Sequence, residues 1–192
     1  MRVNEYFDKV VVINLDRRQD RMEQLDPQLK RLGIEYERYS AIDGLAEGIN
    51  PIHAGRMSHI EVMKQVTGLT LILEDDALFV DDFNQRFEEV MPDLPSDWDI
   101  FYLGALVDRT SGKLIPVNKH WHRQVVSTGT QAYCVNPKKL EYFIQEQTKS
   151  DLHVDVCFRV LAEHTNAYIA QPNLVTQFPS YSDLRMMEVN DF

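Results

Sequence analysis

Cysteine and basic charge are both scarce in this 192-residue chain, which holds only Cys134 and Cys157 and has 20 Lys and Arg against 30 Asp and Glu. Two thiols inside apolar stretches read as buried free cysteines of a reducing compartment, not as a bridge. The formal charge of −10 argues against a nucleic-acid binder, because neutralising phosphates takes Lys and Arg in excess. A small phosphorylated ligand that arrives with its own metal stays compatible with that charge. Long apolar runs are absent too. The opening MRVNEYFDKVVVIN has no segment long enough for a signal peptide, and no window approaches a membrane span. A cytoplasmic protein is expected; one associated peripherally with the inner face of a membrane would look the same. The chain also lacks a GxxxxGK phosphate loop, which counts against phosphoryl transfer, and it shows no repeat or low-complexity tract.

What is present is ordinary globular composition, 44% hydrophobic and 26% charged, in a length that suits one domain over residues 1–192. The informative stretch is LTLILEDDALF, residues 69 to 79. Its apolar run fits a buried strand, and Glu74, Asp75 and Asp76 fit the exposed C-terminal end, where open α/β sheets bind ligands. Three adjacent carboxylates repel one another, and a hard divalent cation such as Mg²⁺ or Mn²⁺ would remove that cost, with a diphosphate completing the shell. On an extended backbone Glu74 and Asp76 point one way and Asp75 the other. The plain alternative is a solvated strand end whose acids cap the next element.

Along the chain, residues 9 to 15 read as a first strand that ends in Asn14 and Asp16 and leads to Arg17, Arg18 and Arg21. A helix follows, with Met22, Leu25, Leu29 and Leu32 at helical spacing, a kink or restart expected at Pro27, and Gly33 as its stop. A short strand over residues 34 to 42 leads to the Asp43-Gly44 turn. Residues 54 to 66 read as a helix carrying Arg56, Ser58 and His59. Adjacent helix positions point about 100° apart, so Ser58 and His59 are no hydrolytic pair. His59 itself can be a satisfied structural histidine, a ligand contact or a metal ligand. After the acids come a short helix, a strand over residues 98 to 105, and a region, 106–125, expected as a hairpin or flap beside the sheet's active edge. A strand over 125 to 136 opens on Ser127, Thr128, Gly129 and Thr130, whose small size permits close approach to the backbone. Two helices and a last strand complete the pattern, with residues 186–192 as a tail. Asp155 lies early in the second of these helices, where a first-turn acid favoured by the helix dipole is the plain reading.

Several of these pieces together resemble glycosyltransferase family 25, which includes lipooligosaccharide (lipopolysaccharide-biosynthesis) and collagen galactosyltransferases. They are VINLDRRQDRMEQL, YSAIDG, GRMSHIEVMKQV, LILEDDALF, WDIFYLGA, GTQAYCVNPKKLEYF, Asp155 in LHVDVCF, and QPNLVTQFPSYSDL, in the family's order over residues 10 to 184. The resemblance implies a single Rossmann-like GT-A domain with a mixed, mostly parallel central sheet flanked by helices. It also implies metal-dependent, inverting transfer of a hexose, galactose foremost, from a UDP-sugar to a hydroxyl of a glycan, lipid-linked or protein acceptor. By the same resemblance Glu74 and Asp76 would hold Mn²⁺ or Mg²⁺, and Asp75, Asn14, Leu15, Arg17 and Arg21 would lie beside the nucleotide. His59 would border the donor site, and Asp155 or Asp183 would act as base. Arg56 stands where the family commonly has cysteine, which is expected to put it near the donor end of its helix. A catalytically inactive relative that binds glycan or nucleotide is the alternative.

Overall fold

The computed structural model describes residues 1–106, 114–124 and 127–178, together with the backbone of residues 107, 180–182 and 187–189. A first turn of helix, α1 (Val3–Tyr6), leads into β1 (Lys9–Asn14), α2 (Gln19–Leu32), β2 (Glu37–Ser40), α3 (Gly44–Glu47) and α4 (Pro51–Lys64). Then come β3 (Thr70–Glu74), β4 (Ala77–Phe79), α5 (Phe83–Val90) and β5 (Ile100–Val107). The hairpin β6 (Ile115–Pro116) and β7 (Trp121–Arg123) precedes β8 (Ser127–Val135), α6 (Leu140–Lys149) and α7 (Val154–Leu161). β9 (Ala167–Ala170), β10 (Val175–Gln177), β11 (Ser180–Ser182) and β12 (Met187–Val189) finish the chain.

The central sheet has the order β2-β1-β3-β8-β5-β9-β7-β6. It is mixed, as expected, but its parallel pairings are confined to β1 with β2, β1 with β3 and β5 with β9. β8 runs antiparallel between β3 and β5. The expected parallel majority fails there: β8 follows β5 by way of the β6–β7 hairpin, without a described crossover helix of the kind that usually delivers a parallel neighbour. Alternation along β1 and β3 sorts the core into two layers. Val10, Val12, Leu71 and Leu73 face Leu25, Leu29, Phe83 and Phe87 of α2 and α5. Val11, Ile13 and Ile72 face the α4, α6 and α7 side, with Ile60, Met63, Phe143 and Phe158. Each fully buried side chain of this size contributes about 1.5–3 kcal/mol of transfer free energy, and both sheet faces are covered, which explains why the strands read as continuous apolar runs.

α2 runs as one helix through Pro27 and does not restart. The carbonyl left without its helical donor belongs to exposed Glu23, so water can take the place of the lost bond. The described part of 106–125 forms the β6–β7 hairpin at the sheet's far edge, where β7 pairs with β9 and Trp121 is buried in the core. The tail expected at 186–192 includes β12, which pairs with β11. Among the described residues no helix is long and apolar enough to cross a membrane.

Candidate functional site

β1 and β3 run parallel and side by side, so the chain segments leaving them open onto the same cleft. α4 supplies a second wall through Gly55, Ser58 and His59; β8 supplies Thr128, Gly129 and Thr130; the start of α7 supplies His153 to Val156. β10 closes the remaining side with Gln177 and Phe178. Its approach depends on Gly104 in β5, because a Cβ there would meet the Val175 carbonyl oxygen at 1.7 Å. The Phe178 amide donates to the Asp76 carbonyl at 2.8 Å, which pins the acidic turn to β10.

The three acids have separate surroundings. Asp75 is buried: its Oδ2 accepts from Asn14 Nδ2 at 2.7 Å and its Oδ1 from Arg21 Nη1 at 2.5 Å, a nitrogen that also lies near Asp76. Asn14 is fully engaged, since the same Nδ2 donates to the Arg18 carbonyl and its Oδ1 accepts from Arg38 Nε at 2.8 Å. Asn14, Arg21 and Asp75 therefore form a bracket that ties β1, α2 and the β3 end together. Glu74 is held from the other side, accepting from Thr130 Oγ1 and lying 3.3 Å from His59 Nε2. His59 is buried and its Nδ1 is 2.9 Å from the Tyr133 hydroxyl. Both ring nitrogens are thus occupied, and the histidine orients Glu74 while forming part of the cleft wall. Asp76 has weaker partners, Arg21 Nη1 at 3.3 Å and Gln177 Nε2 at 3.5 Å.

Electrostatics follow from this division. Burial pushes the Glu74 carboxyl up, but the bonds from His59 and Thr130 and the Arg21 charge outweigh it and hold Glu74 below its ordinary range. Burial pushes Asp75 up against the opposing pull of Arg21 and Asn14. Burial and the neighbouring Glu74 charge push Asp76 up to about 8. One ionised carboxylate, one bracketed carboxylate and one that resists ionisation share the strand end, an arrangement whose charge is short of cations.

Asp155 lines the same cleft from the first turn of α7. Its Oδ2 accepts from the Gly129 amide at 3.1 Å and its Oδ1 from the Val156 amide at 2.8 Å. Gly129 adopts φ +94, and a Cβ there would come within 2.5 Å of Gln131 Oε1, so glycine is needed at this point. Leu15 and Arg17 also line the cleft, where Arg17 Nε pairs with Asp43 Oδ2 at 2.7 Å and Asp43 caps α3 through the Leu45 and Ala46 amides.

Most of the residues singled out from the sequence therefore meet in one place: Asn14, Leu15, Arg17, Arg21, His59, Glu74, Asp75, Asp76 and Asp155. Two do not. Arg56 is buried outside the cleft lining and turns to the Leu152 carbonyl and His53; it sits about 100° round α4 from Gly55, whose face His59 shares at i+4. The structure thus does not bring Arg56 into the cleft lining with the others. Asp183 lies outside the described residues. Thr130, Tyr133 and Gln177 were not anticipated individually; only the run of small residues at the entry of β8 signalled close approach there.

Among the described residues no group of three or more His, Cys, Asp and Glu side chains is arranged to hold a metal ion. Glu74 and Asp76 nonetheless fit a hard cation in part. Both are oxygen donors on the cleft wall, and Mg²⁺ is commonly bound by one or two carboxylates with substrate phosphates and water completing its shell.

No family model matches the chain. It is similar to procollagen galactosyltransferase 1-A of Xenopus laevis, at 30% identity over 129 residues, covering 51% of this chain and 21% of that protein. It is similar also to inactive glycosyltransferase 25 family member 3 of Homo sapiens, at 31% identity over 129 residues, covering 51% and 22%. The chain thus spans about a fifth of the length of these relatives, and its homology is to a family with both active and inactive members. Among solved structures the fold is similar to that of a glycosyltransferase involved in the glycosylation of the major capsid of PBCV-1, with a TM-score of 0.50, 11% identity, and coverage of 85% of this chain and 82% of that one. The architecture is that of a GT-A-like α/β domain.

Proposed function

We infer, starting from this homology to glycosyltransferase 25 proteins, that the chain transfers a hexose, galactose foremost, from a UDP-sugar to a hydroxyl of a glycan or glycoconjugate. The observation that carries the reading is the convergence of Glu74, Asp75 and Asp76 with Asp155 across one cleft, at the sheet end where α/β proteins bind nucleotides. Glu74 and Asp76 would hold Mn²⁺ or Mg²⁺, which when bound supplies positive charge for the diphosphate leaving group. Asp75 serves the site indirectly, since the Asn14–Arg21 bracket fixes the turn that carries its two neighbours. Leu15 and Arg17 border the part of the cleft left for the nucleoside.

Asp155 is the base in this reading. Two backbone amides orient its carboxylate toward the cleft, and it takes the proton from the acceptor hydroxyl as that oxygen attacks C1 of the sugar. The new C1–O bond forms on the face opposite the breaking bond to the phosphate oxygen; UDP leaves with the bonding pair, and the configuration at C1 inverts.

The test is UDP release from UDP-galactose with Mn²⁺, with and without hydroxyl-bearing glycan acceptors. Acceptor-stimulated UDP release is expected; phosphate or nucleoside monophosphate as the primary product would replace the reading with phosphoryl transfer. A second reading has specific support, because an inactive relative matches as well as a galactosyltransferase does. A binding protein of that kind would retain UDP without releasing it from UDP-galactose under any acceptor.

A further inference from the structure

We propose that Arg56 is a positioning residue for Asp155, acting through the backbone that starts α7. Arg56 is 2% exposed, yet none of the ion pairs among the described residues involves it. Its Nη1 donates to the Leu152 carbonyl at 2.7 Å, its Nη2 reaches His53 Nδ1 at 2.7 Å, and its buried Nε has no hydrogen-bond partner. A buried cation without a carboxylate is costly, and such a cation is a poor choice for filling space between helices. What it gains here is a charge-assisted bond to one carbonyl, three residues before Asp155.

That carbonyl is a sensitive point. Ser150 Oγ accepts from the Leu152 amide and Gln147 Nε2 donates to the Val154 carbonyl, so α6 and the local turn hold this segment to the helical layer. Among the described residues, two hydrogen bonds join it to elements that build the cleft: one from Gly129 of β8, to Asp155 itself, and one from Arg56 of α4. α4 also carries His59, which orients Glu74. Arg56 therefore fixes the separation between the acid-bearing wall and the Asp155 wall. The expected effect on turnover rests on the transferase reading; the placement of Asp155 does not.

The test compares wild type with Arg56→Met, which keeps the aliphatic stem and removes every donor. The readouts are amide exchange at Gly129 by NMR, melting temperature, and UDP release with donor and acceptor varied. Removing a buried unpaired charge should leave the melting temperature unchanged or raised. Loss of the tether should speed Gly129 exchange about tenfold, the scale of one charge-assisted hydrogen bond, and should lower kcat by a similar factor at an unchanged KM for the donor. Should Arg56→Met not fold, Arg56→Gln, neutral and too short for the Leu152 carbonyl, takes its place with the same expectation. Gly129 exchange at the wild-type rate would overturn the proposal even in an active enzyme. Faster exchange in a chain that transfers no sugar would instead leave the positioning intact and sink the transferase reading.

Discussion

Asp76→Asn should remove a pH dependence of stability built into the acidic turn. Burial and the Glu74 charge raise the Asp76 pKa from its ordinary 3.8 to about 8, so between these values the folded chain holds a proton that the unfolded chain has lost. The associated stability is full below the unfolded value and is lost as pH rises through the folded one. Between pH 6 and pH 8 the loss from this group comes to about 2 kcal/mol. Glu74 moves the opposite way, since its folded pKa is depressed; its contribution is already complete in this window and disappears only in acid. With a urea slope of roughly 2 kcal/mol per molar, the wild-type midpoint in EDTA should fall by about 1 M from pH 6 to pH 8. The Asp76→Asn midpoint should stay nearly level and exceed wild type at pH 8. Mn²⁺ should restore the wild-type midpoint at pH 8 and leave the variant unmoved. A wild-type midpoint that does not fall, or a variant that falls as steeply, would refute the electrostatic account.

Asp155→Asn should cut turnover about a hundredfold or more, as loss of a general base does, with donor affinity unchanged by calorimetry; unaltered turnover would remove Asp155 as base. Gly104→Ala sets a methyl against the Val175 carbonyl, an overpacking of about 3 kcal/mol that should lower the melting temperature by roughly 6–12 °C. It should also weaken metal-dependent nucleotide binding, because β10 holds the Asp76 turn. Burial pushes the Cys134 thiol well up, so a thiol reagent at neutral pH should leave Cys134 unmodified until denaturant is added, when both cysteines react.

Much of the site was legible because it is built on strand ends. Continuous apolar runs placed β1 and β3, and polar residues following them had to emerge at one sheet edge, which gathered Asn14, Arg17, Arg21 and the acids. The family motifs added His59 and Asp155 to that edge. Contacts between segments distant in sequence were not legible. Thr130 reaches Glu74 only because β8 pairs antiparallel with β3, and neither segment encodes that partner locally. The surroundings of Arg56 were illegible for a related reason: its place in the family's motif gave only its position on α4, whereas its guanidinium goes to a carbonyl 96 residues away. The split of roles among the three acids also depends on the fold, since Asp75 finds Asn14 and Arg21 only once β1 and β3 lie side by side.

Everything in the proposed reaction depends on Glu74 and Asp76 holding a divalent cation together with a UDP-sugar diphosphate. Titration calorimetry of UDP into the protein tests it most directly, with Mn²⁺ present, with EDTA in its place, and with the Asp76→Asn variant in Mn²⁺. Saturable binding is expected in Mn²⁺ and should disappear in EDTA and in the variant. Equal UDP affinity in all three, or no metal-dependent binding at millimolar nucleotide, would contradict it.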